Sequence, residues 1–361
     1  MTNSQTLVFR VDASVAMGTG HVMRCLALAQ VWQDAGGDVV FALARTIPAV
    51  EERLRSERVE IVHLKTSASA QDAAQVADLA HARQASWVVV DGYEFDAEYQ
   101  RHLKNSGLKV LFVDDNGHAA HYFADIVLNQ NAHASEDLYA SRETSTRLLL
   151  GPSYAMLRRE FRPWRNWKRE IAPVGRKVLV MMGGSDPSNI TGRVINALRL
   201  VTVERLETTA VVGGSNSQAE SLEKTVDRFE ALHLVRNASN MPELMAWADV
   251  AVSAAGTTAW ELAFMGVPSL LLVVAEHQSP VAEALAMNAA GINLGDSSDM
   301  EDQDIAEIAG DLLRNATRRK QMSDNGTRLV DGDGARRVTE ALWGNRGLAE
   351  KPGNSNRRAT H

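Results

Sequence analysis

The sequence predicts an α/β protein of two similar halves, each built on a largely parallel sheet and facing the other across a cleft. Two observations predict it. Short apolar runs alternate with helical patterns along most of the chain, which is the rhythm of βα units. That rhythm pauses once, at residues 158–176, where charges, two prolines and two tryptophans give the composition of an interdomain connection, and then resumes. The length of 361 residues, 45% of them hydrophobic, suits two cores.

In the first half, strands are expected at residues 7–11, 39–43, 60–64, 87–90, 110–113 and 126–128. A helix from about residue 20 to 35 follows the first of them and is closed by Gly36-Gly37, a glycine pair that suits a C-terminal cap. In the second half, strands are expected at residues 177–182, 209–212, 232–235, 250–253 and 269–274, each followed by a glycine-containing or polar loop. A last helix covers residues 334–343. The domains are read as 1–160 and 177–345, with 161–176 as linker and 346–361, rich in Gly, Asn, Arg and Lys, as a disordered tail.

With 38 basic and 45 acidic side chains the net charge is −7, which supplies no long-range attraction for nucleic acid or an anionic membrane. A phosphorylated ligand therefore has to be held locally. The first nine residues lack the basic-then-apolar order of a secretory signal, and no apolar run reaches membrane-spanning length, so a cytoplasmic protein without membrane insertion is expected. The single cysteine, Cys25, excludes an internal disulfide and reads as a small core residue. Oligomeric state is left open, with a monomer as the simplest assembly.

Chemistry is expected where strands run into loops, because open parallel sheets bind ligands at the carboxyl ends of their strands. The first strand delivers Asp12 and then a loop containing Gly18 and Gly20, followed at once by His21 and, three residues on, Arg24. Glycines let the backbone approach a polar ligand, the helix start offers N–H groups, and a histidine there can exchange a proton with what is bound. A capping or hydrogen-bonded histidine is the plainer alternative. In the second half, Gly183-Gly184-Ser185-Asp186-Pro187-Ser188 follows a strand directly and can wrap a phosphate or form a tight turn; it lacks the Gly-Lys-Ser/Thr of an ATPase loop. Gly256-Thr257-Thr258 opens another helix, and Glu261 one turn in can accept from a ribose diol or complete a capping box. Asp91-Gly92-Tyr93 and Asp114-Asp115-Asn116-Gly117-His118 end two further strands on the same side. The latter reads as an Asx-type turn in preference to a metal site, and neither metal nor cofactor is called for.

Taken in order, Gly18-x-Gly20-His21-x-x-Arg24, Asp91-Gly92-Tyr93, Gly151-Pro152-x-Tyr154-Ala155-x-Leu157-Arg158-x-Glu160-Phe161, Gly183-Gly184-Ser185-Asp186-Pro187 and Ala255-Gly256-Thr257-Thr258-x-x-Glu261 resemble the bacterial UDP-sugar hydrolases of pseudaminic acid biosynthesis. The likeness spans residues 7–345. That family resembles the two-domain GT-B glycosyltransferases, so the resemblance implies a GT-B fold of two Rossmann-like domains with the nucleotide in the second. It implies hydrolysis of UDP-2,4-diacetamido-2,4,6-trideoxy-β-L-altrose, His21 acting as general base on a water that attacks the anomeric carbon with inversion. Tyr93 matches a tyrosine at the sugar site, and Glu261 the ribose-binding glutamate. Gly18, Gly20, Arg24, Tyr154, Gly184, Ser185, Asp186, Gly256, Thr257, Thr258, His277 and Gln278 complete the implied substrate contacts. Where the family often has Asn-Gln, this chain has His277-Gln278, and an imidazole differs from an amide in reach and in its ability to charge.

Three rival readings are kept in view. A UDP-sugar glycosyltransferase shares the fold, although no apolar or basic membrane-facing patch is evident in the first-half loops. A nicotinamide oxidoreductase requires a third glycine where Arg24 stands. A nucleotide-sugar-binding module without turnover leaves His21 unexplained.

Overall fold

The computed structural model describes residues 5–344, apart from 215, 217 and 227–230. It contains two parallel sheets. The first has seven strands, β1 (Thr6–Val11), β2 (Asp38–Leu43), β3 (Glu60–His63), β4 (Ala85–Asp91), β5 (Val110–Val113), β6 (Ile126–Asn129) and β7 (Arg147–Leu150), in the order β3-β2-β1-β4-β5-β6-β7. The second has six, β8 (Lys177–Met181), β9 (Glu207–Val212), β10 (Leu232–Arg236), β11 (Val250–Ala254), β12 (Ser269–Val273) and β13 (Gly291–Asp296), in the order β10-β9-β8-β11-β12-β13. Every pairing within them is parallel.

Parallel strands need long crossovers, and helices supply them. The helices α1 (Gly20–Asp34), α2 (Pro48–Ser56), α3 (Ala70–Ala82) and α4 (Ala97–Asn105) follow β1 to β4 in turn, and α5 (Ile190–Leu198), α6 (Ala219–Val226), α7 (Met241–Trp247), α8 (Thr258–Phe264) and α9 (Ser279–Met287) follow β8 to β12. Then come α10 (Asp302–Arg314), α11 (Ala316–Leu329) and α12 (Gly334–Trp343). With helices on both faces, central strands bury both sets of side chains, so they read as continuous apolar runs. All of β1 is buried, including Arg10, which is paired with Asp12 and Asp72 at 2.7 Å each.

Two strands lie beyond the sequence expectation, β7 and β13. Each is the outermost strand of its sheet; β13 (Gly-Ile-Asn-Leu-Gly-Asp) carries two glycines and is only partly buried, while β7 (Arg-Leu-Leu-Leu) is apolar but follows β6 without an intervening α-helix and so breaks the βα rhythm. The last helix is grouped by sequence with the second half, yet α12 packs on the first. Ala335, Val338 and Leu342 enter the same core as α1, Trp343 lies 4.2 Å from Trp32 between ring centroids, and the indole N–H of Trp87 donates to the Leu342 carbonyl at 2.8 Å. The expected tail at residues 346–361 lies outside the described residues. Among the described residues, no helix is long and apolar enough to cross a membrane.

In each sheet the chain order reverses beside the central strand, between β1 and β4 and between β8 and β11. A crevice opens at the carboxyl ends of the strands at such a point. The loops after these four strands line a single cleft between the two sheets, formed by Ala16 to His21 and Tyr93 on one wall and Gly183 to Ser188 and Gly256 to Thr258 on the other.

Candidate active site

The loop after β1 is built to turn sharply. Asp12 caps the neighbouring strand end, its Oδ1 accepting the N–H groups of Ala44 (2.8 Å) and Arg45 (3.0 Å). Gly18, at φ +80°, donates its N–H to the Ser14 carbonyl at 2.8 Å, and this left-handed conformation costs a glycine little. Gly20 then opens α1, which places His21 in its first turn and Arg24 one turn on, facing the end of β4.

There the side chains form a buried ionic cluster. His21 Nδ1 lies 2.6 Å from Asp91 Oδ1, and the Arg24 guanidinium grips the same carboxylate through Nε (2.7 Å) and Nη2 (2.7 Å). Arg24 Nη1 donates to both oxygens of Asp115, at 2.8 and 2.9 Å. Asp115 also accepts from the Tyr93 hydroxyl (2.9 Å) and the Asn131 amide (2.7 Å), and the Cys25 thiol donates to Asp91 at 3.3 Å.

Burial alone would raise both carboxyls. The Arg24 charge, joined by His21, more than offsets that and holds Asp91 well below the usual carboxylate range, and Arg24 likewise lowers Asp115. Burial works against the Arg24 charge as well, but the two carboxylates keep it protonated. Since Asp91 is ionised, it accepts only, so the hydrogen between it and His21 sits on Nδ1 and the Nε2 lone pair is left available. Arg24 Nη2 is 3.0 Å from that same Nδ1 and donates alongside it to Asp91 Oδ1. Burial and Asp115 raise the Tyr93 phenol, so it stays protonated.

The opposite wall comes from the second half. Gly184 and Thr19 meet closely across the cleft: a Cβ on Gly184 would come within 3.1 Å of the Thr19 hydroxyl oxygen, so the glycine permits the approach. Ser185, Ser188, Gly256, Thr257, Thr258, His277 and Gln278 all line the cleft. The His277 ring lies 5.3 Å from that of Tyr93, and burial followed by the nearby His21 lowers its pKa.

Three expected contacts are arranged differently. Asp186 lines the cleft, but its oxygens accept the N–H groups of Ile190 (2.8 Å) and Thr191 (2.9 Å), so the carboxylate already occupies the start of α5. An anion there would meet like charge, which leaves the loop backbone and the Ser185 and Ser188 hydroxyls as its partners. Glu261 forms no capping box, because Thr258, the residue three before it, is already inside α8 and Thr257 stands at the cap; its Oε1 instead accepts Nε (3.1 Å) and Nη2 (2.8 Å) of Arg158. Burial raises the Glu261 carboxyl, and Arg158 opposes the rise. Tyr154 is not brought to the cleft. It packs against the first core, where α12 begins so tightly that a Cβ on Gly334 would lie 2.4 Å from the Tyr154 carbonyl carbon.

Asp114 forms the expected Asx-type turn, its Oδ1 accepting the N–H groups of Asn116 (2.7 Å) and Gly117 (2.9 Å). Asp115 and Asn131 are the members of the cluster that sequence reasoning did not place. The available signal was positional, because Asp91 ends β4 at the crevice and Asp115 follows β5, the next strand of the sheet; nothing local marks Asn131, which reaches the site from beyond β6.

Residues 178–337 match the family model of the glycosyltransferase family 28 C-terminal domain. An uncharacterized protein of Methanocaldococcus jannaschii is 26% identical over 74% of this chain and 55% of its own length, so the chain spans about half of that relative. The spore coat polysaccharide biosynthesis protein SpsG of Bacillus subtilis is 27% identical over 64% of this chain and 68% of its own. The UDP-2,4-diacetamido-2,4,6-trideoxy-β-L-altropyranose hydrolase of Campylobacter jejuni is 24% identical over 66% and 81% respectively. Among solved structures, MurG of Acinetobacter baumannii superposes with a TM-score of 0.64 at 18% identity, covering 94% of this chain and 99% of that one. The fold is GT-B. The matched family model covers the GT-B half that carries Gly184, Thr258 and His277, and the ionic cluster lies in the other half.

Proposed function

We propose that this chain hydrolyses a UDP-sugar, most specifically UDP-2,4-diacetamido-2,4,6-trideoxy-β-L-altrose, with His21 as general base. The observation that carries the reading is the 2.6 Å contact between His21 Nδ1 and the ionised Asp91. It assigns the ring hydrogen to Nδ1 and leaves Nε2 to take a proton from water. Two carboxylates against one guanidinium leave the cluster one negative charge, which the imidazolium formed by proton uptake neutralises. The water oxygen bonds to the anomeric carbon from the face opposite the diphosphate. The bond from that carbon to the UDP oxygen breaks, its electron pair leaves on UDP, and the anomeric configuration inverts. UDP is a good leaving group, and the Gly183 to Ser188 loop and the Gly256 to Thr258 turn are assigned to its phosphates. The sequence similarity to the Campylobacter jejuni hydrolase supports the choice of sugar.

A transferase is the second reading, favoured by the GT-B fold, because the same base can deprotonate an acceptor hydroxyl. The two are separated by following that UDP-sugar with purified protein in EDTA and no acceptor, using proton and phosphorus NMR. UDP and free sugar are expected to accumulate together, the sugar appearing first as the inverted anomer. No release with UDP bound would instead assign a transferase or another sugar.

Glu261 is assigned the ribose diol through Oε2, the oxygen that Arg158 leaves aside in its two bonds. Glu261→Ala is expected to weaken UDP binding roughly ten- to hundredfold by calorimetry, the loss of a charge-assisted hydrogen-bonding group. Unchanged affinity would make Glu261 the partner of Arg158 only.

A further inference from the structure

We infer that Asp115 is a positioning residue that makes the Tyr93 hydroxyl a pure hydrogen-bond acceptor, so that the sugar presents an N–H or O–H to it. The inference rests on the UDP-sugar reading above and deepens it. A phenol has one hydrogen, and an ionised carboxylate has none, so the 2.9 Å bond between Tyr93 Oη and Asp115 Oδ2 commits the phenol hydrogen to Asp115. What Oη can offer the cleft is a lone pair.

The arrangement is held rigidly. Asp115 takes both oxygens to Arg24 and one to Asn131, while its backbone carbonyl accepts from Asn129 Nδ2 (3.0 Å) and His133 Nε2 (2.8 Å). The Tyr93 ring is flanked by the imidazoles of His21 at 4.9 Å, His277 at 5.3 Å and His118 at 6.0 Å between centroids, and it remains 36% exposed on the cleft side. A hydroxyl so fixed selects by polarity. An amide N–H or a sugar hydroxyl completes the bond, whereas fluorine, an ester oxygen or a carboxylate brings a second electron-rich atom against the lone pair, with the Asp115 charge behind it.

The test uses the proposed UDP-sugar and three analogues of it, in which the 2-acetamido group or the 4-acetamido group becomes acetoxy, or the 3-hydroxyl becomes fluorine. For wild type, kcat/KM for UDP release is expected to fall roughly ten- to hundredfold for the analogue altered at the contact, with UDP affinity unchanged. In Tyr93→Phe that analogue and the parent are expected to react equally well. In Asp115→Asn the amide can donate to Oη and free the phenol hydrogen toward the cleft, so the deficit is expected to shrink or reverse, an effect that mere structural damage would not give. If Asp115→Asn does not fold, the Tyr93→Phe comparison decides. Wild type indifferent to all three changes, or Tyr93→Phe keeping the same deficit, would overturn the inference. Failure of the parent to release UDP would overturn the hydrolase reading first and this inference with it.

Discussion

Replacing His21 with alanine is expected to lower UDP release by roughly two to four orders of magnitude while leaving UDP affinity unchanged. The size follows from the role: general base catalysis by a positioned side chain is worth about that much, and no other imidazole in the described cleft has a carboxylate on Nδ1 to aim Nε2 at a water. His277 faces the same space, but its ring packs beside Tyr93 and burial disfavours its charged form, so it is a poor substitute base. The affinity is spared because the proposed nucleotide contacts belong to the loops after β8 and β11, on the other half. Single-turnover UDP release and calorimetric titration with UDP measure the two quantities separately. Turnover at the wild-type rate would remove His21 from the chemistry, and loss of UDP binding in parallel would place it in the nucleotide site instead.

Much of this arrangement is legible in the sequence, and for an identifiable reason. Central parallel strands are buried on both faces, so β1, β5 and β8 stand out as apolar runs, and the loops that follow them must gather at one edge. The place of Gly18, Gly20 and His21 at that edge therefore follows from the strand pattern. Strand β13, with two glycines and an asparagine, carries no such signature, and β7, although apolar, follows β6 without an α-helix between them and so falls outside the βα rhythm. What the sequence leaves open is partner choice among polar side chains. Asp186 and Glu261 both read as ligand contacts, yet one caps α5 and the other meets Arg158, 103 residues away along the chain. Thr258-Ala259-Trp260-Glu261 has the spacing of a capping box, but α8 begins one residue too early for it, and the glutamate takes the Arg158 guanidinium instead. Asp115 shows the same limit in the opposite direction, since beside Asp114 it reads as one of two turn residues. Only the register of β4, β5 and β6 sets it beneath Arg24, with Asn131 alongside.

The largest effect on stability is expected from Arg24→Met. The guanidinium is the counter-charge of two buried carboxylates, and methionine keeps the hydrophobic bulk while removing it. Breaking a buried ion pair by deleting one partner costs about 3–5 kcal/mol, because the remaining charge is left uncompensated. The pH dependence distinguishes this cause from a packing defect. In wild type, Asp91 and Asp115 have folded-state pKa values below their unfolded value of about 3.9, so their contribution is fully present above that pH and is lost as pH falls toward the folded values. In the variant, burial without Arg24 raises both carboxyls above the unfolded value, so stability is present below about pH 4 and is lost as pH rises through the new folded values. The two stability curves must therefore diverge between about pH 4 and pH 7, and urea unfolding near either end measures the gap. A destabilisation that grows with pH identifies the uncompensated charge. An equal destabilisation at both ends would mean that the carboxylates are relieved by water once Arg24 is gone, and that the cluster contributes to the orientation of His21 without storing a net buried charge.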